Sequence, residues 1–220
     1  MTTSGSHKQP SIHLPGFPNA VKLVDIRTPK AKRLADLALH QEDLRFALEC
    51  LGLITINVSE SNLIQKALWR SALVSFFKCF GNGDRFQLSP QKLLKGEPSE
   101  AMKSFNYFKS LRNKHVVHDE NSYTQTVCGA VLNPEFSETK VDRVIALCMD
   151  MHLDQTHLSS FITLVKFILD SVSKEFDALE LSIRGELESE SYSTLISLPA
   201  PIYHAPMADE VHVHKRPGTA

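Results

Sequence analysis

The sequence predicts a mainly α fold, an antiparallel helical bundle with a β-hairpin inserted between the third and the last long helix. Apolar residues recur every three or four positions in four long segments, which is the period of an amphipathic helix. Between the third and fourth of these segments the composition changes to β-branched and small apolar residues, which favour strands. Long helices joined by short connections pack most easily as an antiparallel bundle.

Glycine and serine mark the ends of the first two predicted helices. One helix is predicted over about residues 32–51, with Gly52 as its C-terminal stop. A second helix begins near Ser59 or Ser61, either of which suits an N-cap, and ends before the glycine-containing breaker at residues 81–83. The phenylalanines of the second and third helices keep helical spacing, so we expect them in the core.

A third helix follows a short turn that is predicted around residues 89–94. This helix starts at Pro98, a favourable first-turn residue, and is predicted to end near His118. The two strands of the hairpin are predicted over residues 124–132 and 141–149 and are joined by a longer loop. The hairpin as a whole is therefore expected at about residues 124–150.

The last predicted helix is the longest, with apolar positions that recur from Leu158 to Ile183. Carboxylates lie on the other face of its C-terminal half, where they oppose the helix dipole, so we expect a solvated face or a partner surface there. The chain is therefore predicted to form a single helical domain at residues 19–195. A flexible segment at residues 1–18 precedes it, and an irregular tail at residues 196–220 follows.

Composition and charge limit the class of protein. Lys and Arg total 24 against 25 Asp and Glu, so any nucleic-acid-binding surface must be local. The cysteines lack CxxC spacing and each sits in an apolar run, which predicts buried thiols in a reducing compartment. No apolar stretch approaches the roughly 20 residues of a membrane span, so we expect a cytoplasmic protein without membrane association. The cysteines are Cys50, Cys79, Cys128 and Cys148.

A polar and basic cluster at the end of the third helix carries the strongest functional signal. Arginine can hold a phosphate through two parallel hydrogen bonds, and histidine exchanges its proton near neutral pH. Together they predict phosphodiester chemistry or phosphate recognition. A second arginine–histidine pair, Arg33 and His40, has leucine directly after the arginine, and we assign no chemistry to it. The cluster consists of Arg112, Asn113, Lys114, His115 and His118.

The stretch from Tyr107 to Asp119 resembles the signature of the HEPN superfamily (higher eukaryotes and prokaryotes nucleotide-binding). That signature is an arginine, a following polar residue and a histidine a few residues on, which Arg112, Asn113 and His118 match. The resemblance implies a compact helical bundle and a homodimer in which two motifs face one composite site. Many members are metal-independent endoribonucleases that act as toxins or phage-defence effectors.

The resemblance also carries expectations about ligands and partners. It implies RNA as the substrate, an antitoxin or regulatory protein as a further partner, no cofactor and no metal. Some members keep the fold and only bind nucleotides or proteins. A non-catalytic nucleotide- or protein-binding module is therefore the alternative function.

The chemistry of RNA cleavage fits the same residues. RNA carries its own nucleophile, the 2′-hydroxyl, so the reaction needs a base, an acid and a cation at the developing phosphorane charge. His118 can transfer the proton, and Arg112 can hold the phosphate. In an α-helix these two residues would lie roughly 9 Å apart and about 120° around the axis. One helix therefore cannot aim both at one atom unless its end unwinds, the arginine reaches round, or a symmetric partner contributes.

Three neighbouring residues are candidates for substrate binding or support. Lys109 and Lys114 can add to an RNA-binding surface, and His115 can orient the others or be a core histidine bonded to a backbone carbonyl. The helix dipole also favours cations at a C-terminus, so a purely structural role is the competing interpretation. An adaptor protein that uses the acidic end of the last helix is a third interpretation.

Overall fold

A computed structural model of the protein describes residues 14–56, 62–118, 124–150 and 155–202. The prediction of a mainly helical chain with one inserted hairpin is confirmed. The antiparallel order of the bundle stays a prediction. The described elements are α1 (Pro29–Ile56), α2 (Asn62–Lys78), α3 (Pro90–Leu93), α4 (Ser99–Leu111), a π-helical segment (Arg112–Val117), β1 (Thr124–Leu132), β2 (Val141–Asp150), α5 (Gln155–Glu188) and α6 (Tyr192–Ser197).

The chain divides into two compact units, whose boundaries fall inside α1, inside α5 and on either side of residues 84–86. The first unit comprises the chain up to Ala38, residues 84–86 and the chain from Lys174 onward. The second unit comprises residues 39–83 and 87–173. None of the helices in the described ranges combines the length and the apolar character needed to cross a bilayer.

In the first unit, basic side chains near the start of α1 bind carboxylates of α5. Lys30 forms an ion pair with Glu186, and Arg33 forms one with Glu175. The acidic face of α5, predicted to be solvated or to meet a partner, is thus partly engaged by this chain itself. Exposed ion pairs contribute only about 0–1 kcal/mol each, so their main effect is to fix which faces meet.

Aromatic side chains from α2, α4 and α5 form the core of the second unit. The ring centre of Phe161 lies 5.2 Å from that of Phe76 and 4.6 Å from that of Phe108. Edge-on and tilted pairs at such distances are the favourable aromatic geometries. The predicted core placement of the phenylalanines is confirmed. The buried aromatic residues are Trp69, Phe76, Phe77, Phe80, Phe105, Phe108 and Phe161.

Besides the end of α4, two helical features differ from the prediction. α1 does not stop at Gly52 but continues to Ile56, because Leu51 and Ile54 keep the buried face and an interior glycine costs only about 1 kcal/mol. α6 lies where the irregular tail is predicted to begin. The hydroxyl of Ser191 caps α6 by accepting a hydrogen bond from a backbone N–H in its first turn.

Several predicted features lie outside the described residues. The candidate N-caps Ser59 and Ser61 are among them, and α2 is described from Asn62. Most of the N-terminal segment and residues 203–220 of the tail are also outside the described residues.

The hairpin is antiparallel, with Ala130 opposite Val144 and a bulge between Val131 and Leu132. The burial predicted for Cys128 and Cys148 is wrong, since both thiols are exposed. An apolar run in a strand is buried only where another layer covers it, and the hairpin side chains are mostly exposed on both faces.

The burial predicted for Cys50 and Cys79 is confirmed. Burial in α1, with a smaller contribution from the neighbouring Glu49, raises the pKa of the Cys50 thiol. A raised thiol pKa keeps this cysteine neutral and unreactive near neutral pH.

We expect Phe161→Ala to lower the free energy of unfolding by about 3–5 kcal/mol, because it leaves a cavity among three aromatic rings. Phe136→Ala is the matched control, since this phenylalanine is 96% exposed in the hairpin loop and its loss should change stability by about 0.5 kcal/mol or less. Urea titration followed by circular dichroism measures both. Equal effects of the two substitutions would contradict the assigned core.

Candidate phosphate-binding site at the end of α4

The end of α4 is fixed by three buried side chains. Phe105, Phe108 and Leu111 point into the core of the second unit. Arg112 follows directly, and its backbone N–H donates to the carbonyl oxygens of Lys109 and Phe108. The position of Arg112 is therefore set by the packing of the last turn of α4.

The segment after Leu111 is not an α-helix. The prediction of one continuous helix to His118 is wrong, because Arg112–Val117 forms a π-helical segment with wider turns. His118 then leaves the helix with φ −132° and ψ 147°, an extended conformation. The separation and angle calculated for an ideal α-helix consequently do not apply to Arg112 and His118. π-Helical turns are rare and occur frequently at functional sites.

The guanidinium of Arg112 has an unusual environment. Its Nη1 donates a hydrogen bond of 2.9 Å to Oδ1 of Asn113. Its Nε is buried and makes no hydrogen bond to any residue that the structure describes. A buried N–H group without an acceptor is destabilising, so an acceptor oxygen that reached Nε would stabilise this guanidinium. Arg112 also has no carboxylate partner within the described ranges.

Two lysines beside Arg112 add to this charge. The side chains of Lys109 and Lys114 are exposed, and neither forms an ion pair with a described residue. Lys103, two turns earlier on α4, is different because its Nζ lies 3.3 Å from Oε1 of Glu100. Among the described residues, Lys109, Arg112 and Lys114 thus have no ion-pair partner, whereas Lys103 is paired with Glu100.

The two histidines of the cluster differ in exposure. His115 is half-buried in the π-helical segment, which contacts α2, while His118 is exposed at its end. Arg112 and His118 share no hydrogen bond in the described part of the chain. The described residues therefore include a hydrogen bond between Arg112 and Asn113 and none from His118 to either of them.

Sequence reasoning missed two features of the second unit. The ring of His157 stacks on Tyr107, with ring centres 4.8 Å apart and planes 13° apart. These residues are far apart in sequence, so no spacing could have indicated the pair. An open cavity of about 390 Å³ also lies between the start of α4 and α5, lined in part by Ala101, Ser160 and Thr163. No residue of the Arg112 cluster lines this cavity.

Among the described residues, no group of three or more His, Cys, Asp or Glu side chains is arranged to hold a metal ion. Comparisons with protein-family models, curated proteins and solved structures gave no match to this chain.

Proposed function

We propose that this protein is a HEPN-like, metal-independent endoribonuclease that acts as a homodimer, in the manner of a toxin or phage-defence effector. The observation that carries the proposal is the Arg112 guanidinium. It is partly buried, its side-chain hydrogen bond within the described residues goes to the neutral Asn113, and its buried Nε has no described acceptor. A phosphate oxygen would satisfy this N–H and compensate the charge at once.

The proposed reaction uses the 2′-hydroxyl of RNA as the nucleophile. A histidine removes the hydroxyl proton while the 2′-oxygen attacks phosphorus. The bond from phosphorus to the 5′-oxygen breaks, and a second protonated histidine donates a proton to the leaving oxygen. The products are a 2′,3′-cyclic phosphate and a 5′-hydroxyl. Arg112 stabilises the charge on the phosphorane oxygens, and Asn113 holds the guanidinium in place.

Two copies of the chain supply the two proton-transfer groups. One His118 cannot be base and acid in the same step, so the site contains His118 from each protomer. The exposed position of His118 supports this arrangement, because its imidazole is accessible to RNA and to a second protomer. Lys109 and Lys114 supply additional positive charge for the RNA backbone on either side of the cleaved bond. His115 supports the π-helical segment from its half-buried position.

The alternative is a non-catalytic module that binds a nucleotide or a protein. The observation in its favour is that His118 makes no hydrogen bond with Arg112 in the described chain. Such a module would use the phosphate contact of Arg112 and would give His118 no chemical role.

Substitutions at His118 and Arg112 separate catalysis from binding. His118→Ala should reduce cleavage by about 10²–10⁴-fold, because a general acid–base group is lost, and should leave RNA binding and melting temperature nearly unchanged. Arg112→Ala should reduce cleavage comparably and also weaken binding. Arg112→Lys should recover only part of the activity, because a point charge does not reproduce the guanidinium fork. Cleavage of labelled RNA, RNA affinity and melting temperature are measured on each variant.

Lys103→Ala provides a matched control for Lys109→Ala, since both lysines are exposed on α4 but only Lys103 is paired with Glu100. We expect weaker RNA binding for the Lys109 variant alone. Normal cleavage by His118→Ala would refute the ribonuclease proposal. A different result would contradict the phosphate role of Arg112. In that result His118→Ala loses cleavage and keeps RNA binding, while Arg112→Ala keeps both cleavage and RNA binding.

Cleavage should persist in EDTA, because the substrate supplies the nucleophile and protein side chains supply the proton transfers and the cation. Treatment of the product with acid should convert its cyclic phosphate to a mixture of 2′- and 3′-phosphates, which mass spectrometry detects. If activity disappears with EDTA and returns with Mg²⁺, the chemistry is different from the one proposed.

A further inference from the structure

The hairpin exposes apolar side chains on both of its faces. Val127 and Leu147 lie on one face and are 51% and 55% exposed, and Val144 on the other face is 67% exposed. Within the described residues the sheet contains these two strands only, so no described strand pairs with the outer side of β1 or of β2. A two-stranded hairpin is at best marginally stable by itself, and further strands or a packed layer are needed to stabilise it.

The two edges of the hairpin differ in charge. β1 has the sequence TQTVCGAVL, which contains neither a charged residue nor proline. β2 carries Asp142 and Arg143, which are exposed and form an ion pair with each other. Charged side chains and proline are the usual devices that prevent an edge strand from pairing with another chain. β1 lacks both devices, and β2 has charges.

We propose that β1 pairs in antiparallel fashion with β1 of a second copy of the chain, which forms a continuous four-stranded sheet with the two β2 strands outside. A strand of nine residues that pairs with itself over its full length places its fifth residue on the two-fold axis. That residue is Cys128. In this register Val127 lies opposite Gly129 of the other copy, and Thr126 lies opposite Ala130.

A second copy is the occupant that the edge pattern favours. An uncharged strand matches itself without placing like charges opposite each other, and the two-fold arrangement closes after two chains. Pairing of β1 with β2 of the next copy would instead continue without limit, and the charges of Asp142 and Arg143 oppose it. The added strand pair also gives each hairpin the further strands that its stability requires.

This interface is independent of the ribonuclease chemistry but bears on it, since the proposed reaction needs two copies of His118. β1 begins six residues after His118, so the chain between them can span at most about 20 Å. In this register the two copies of Thr124 lie eight residues apart along the paired strands, roughly 27 Å, which two connections of that length can bridge. Loss of the dimer and loss of His118 can be measured separately. Loss of the dimer lowers the molecular mass in solution, whereas His118→Ala leaves the mass of the assembly unchanged.

Disulfide trapping tests the register. Directly opposite residues in antiparallel strands have Cα atoms about 4.5–5.5 Å apart, within the range that a disulfide bridges. Cys148→Ser leaves Cys128 as the exposed cysteine of the described chain, and Cys128→Ser leaves Cys148 as the matched control. Copper(II)–phenanthroline removes two electrons and two protons from two facing thiols. We expect a cross-linked dimer of the Cys148→Ser protein on a non-reducing gel and almost none of the Cys128→Ser protein.

A charge exchange at the same position tests the interface without oxidation. Cys128→Lys and Cys128→Glu should each be monomeric in analytical ultracentrifugation, because like charges would face each other across the two-fold axis. An equal mixture of the two variants should form a heterodimer. Cys148→Lys, on the same face of the outer strand, should remain dimeric. Circular dichroism verifies that the variants keep their helices.

A monomeric wild-type protein would overturn both this interface and the homodimer of the proposed function, whereas a Cys128→Lys variant that dimerises as the wild type does would overturn this interface alone. The interface is also overturned if cross-linking occurs through Cys148 instead of Cys128. If a charge variant loses its helical signal, the trapping experiment on Cys148→Ser, which leaves β1 unaltered, decides the matter. A dimer with inactive chemistry would leave this interface intact and would refute the proposed function alone.

Discussion

The aromatic packing of the second unit is the constraint on which the candidate site depends. Phe161 of α5 contacts Phe76 of α2 and Phe108 of α4, so three helices share one cluster of rings. Leu111 is buried in the next turn of α4, and the backbone of Arg112 is bonded to that same turn. The proposed phosphate contact of Arg112 would depend on this fixed position, because a displacement of about 1 Å is enough to impair catalysis.

The π-helical segment joins a buried residue to a polar cluster. Leu111 faces the core, while the residues that follow are half-buried or exposed. The wider turn changes the direction of these side chains without a loop, and it ends in an extended His118. Its cost is a poorer hydrogen-bond geometry, which is one reason such turns stay short. Asn113 then has a positional role, because its carbonyl oxygen fixes one nitrogen of the Arg112 guanidinium.

The sequence predicted what depends on local periodicity. The long α5 helix and the Phe-containing faces of α2 and α4 follow from apolar spacing, both strands follow from β-branched composition, and all are found. The π-helical segment could not be predicted, because its residues are mostly polar and carry no apolar period. The exposure of Cys128 could not be predicted either, since a strand pattern does not indicate whether another layer covers the strand. Contacts between distant residues, such as Tyr107 with His157, leave no local signal at all.

If β1 pairs with β1 of a second copy, as proposed, the fraction of assembled sites depends on the concentration of the protein itself. At concentrations well below the dissociation constant of a dimer, the amount of dimer grows with the square of the total protein. A site assembled from two copies of His118 would then have very low activity at low protein concentration. A modest rise in expression would be converted into a much steeper rise in activity. The edge would in this way set a threshold dose for the cell without any other regulator.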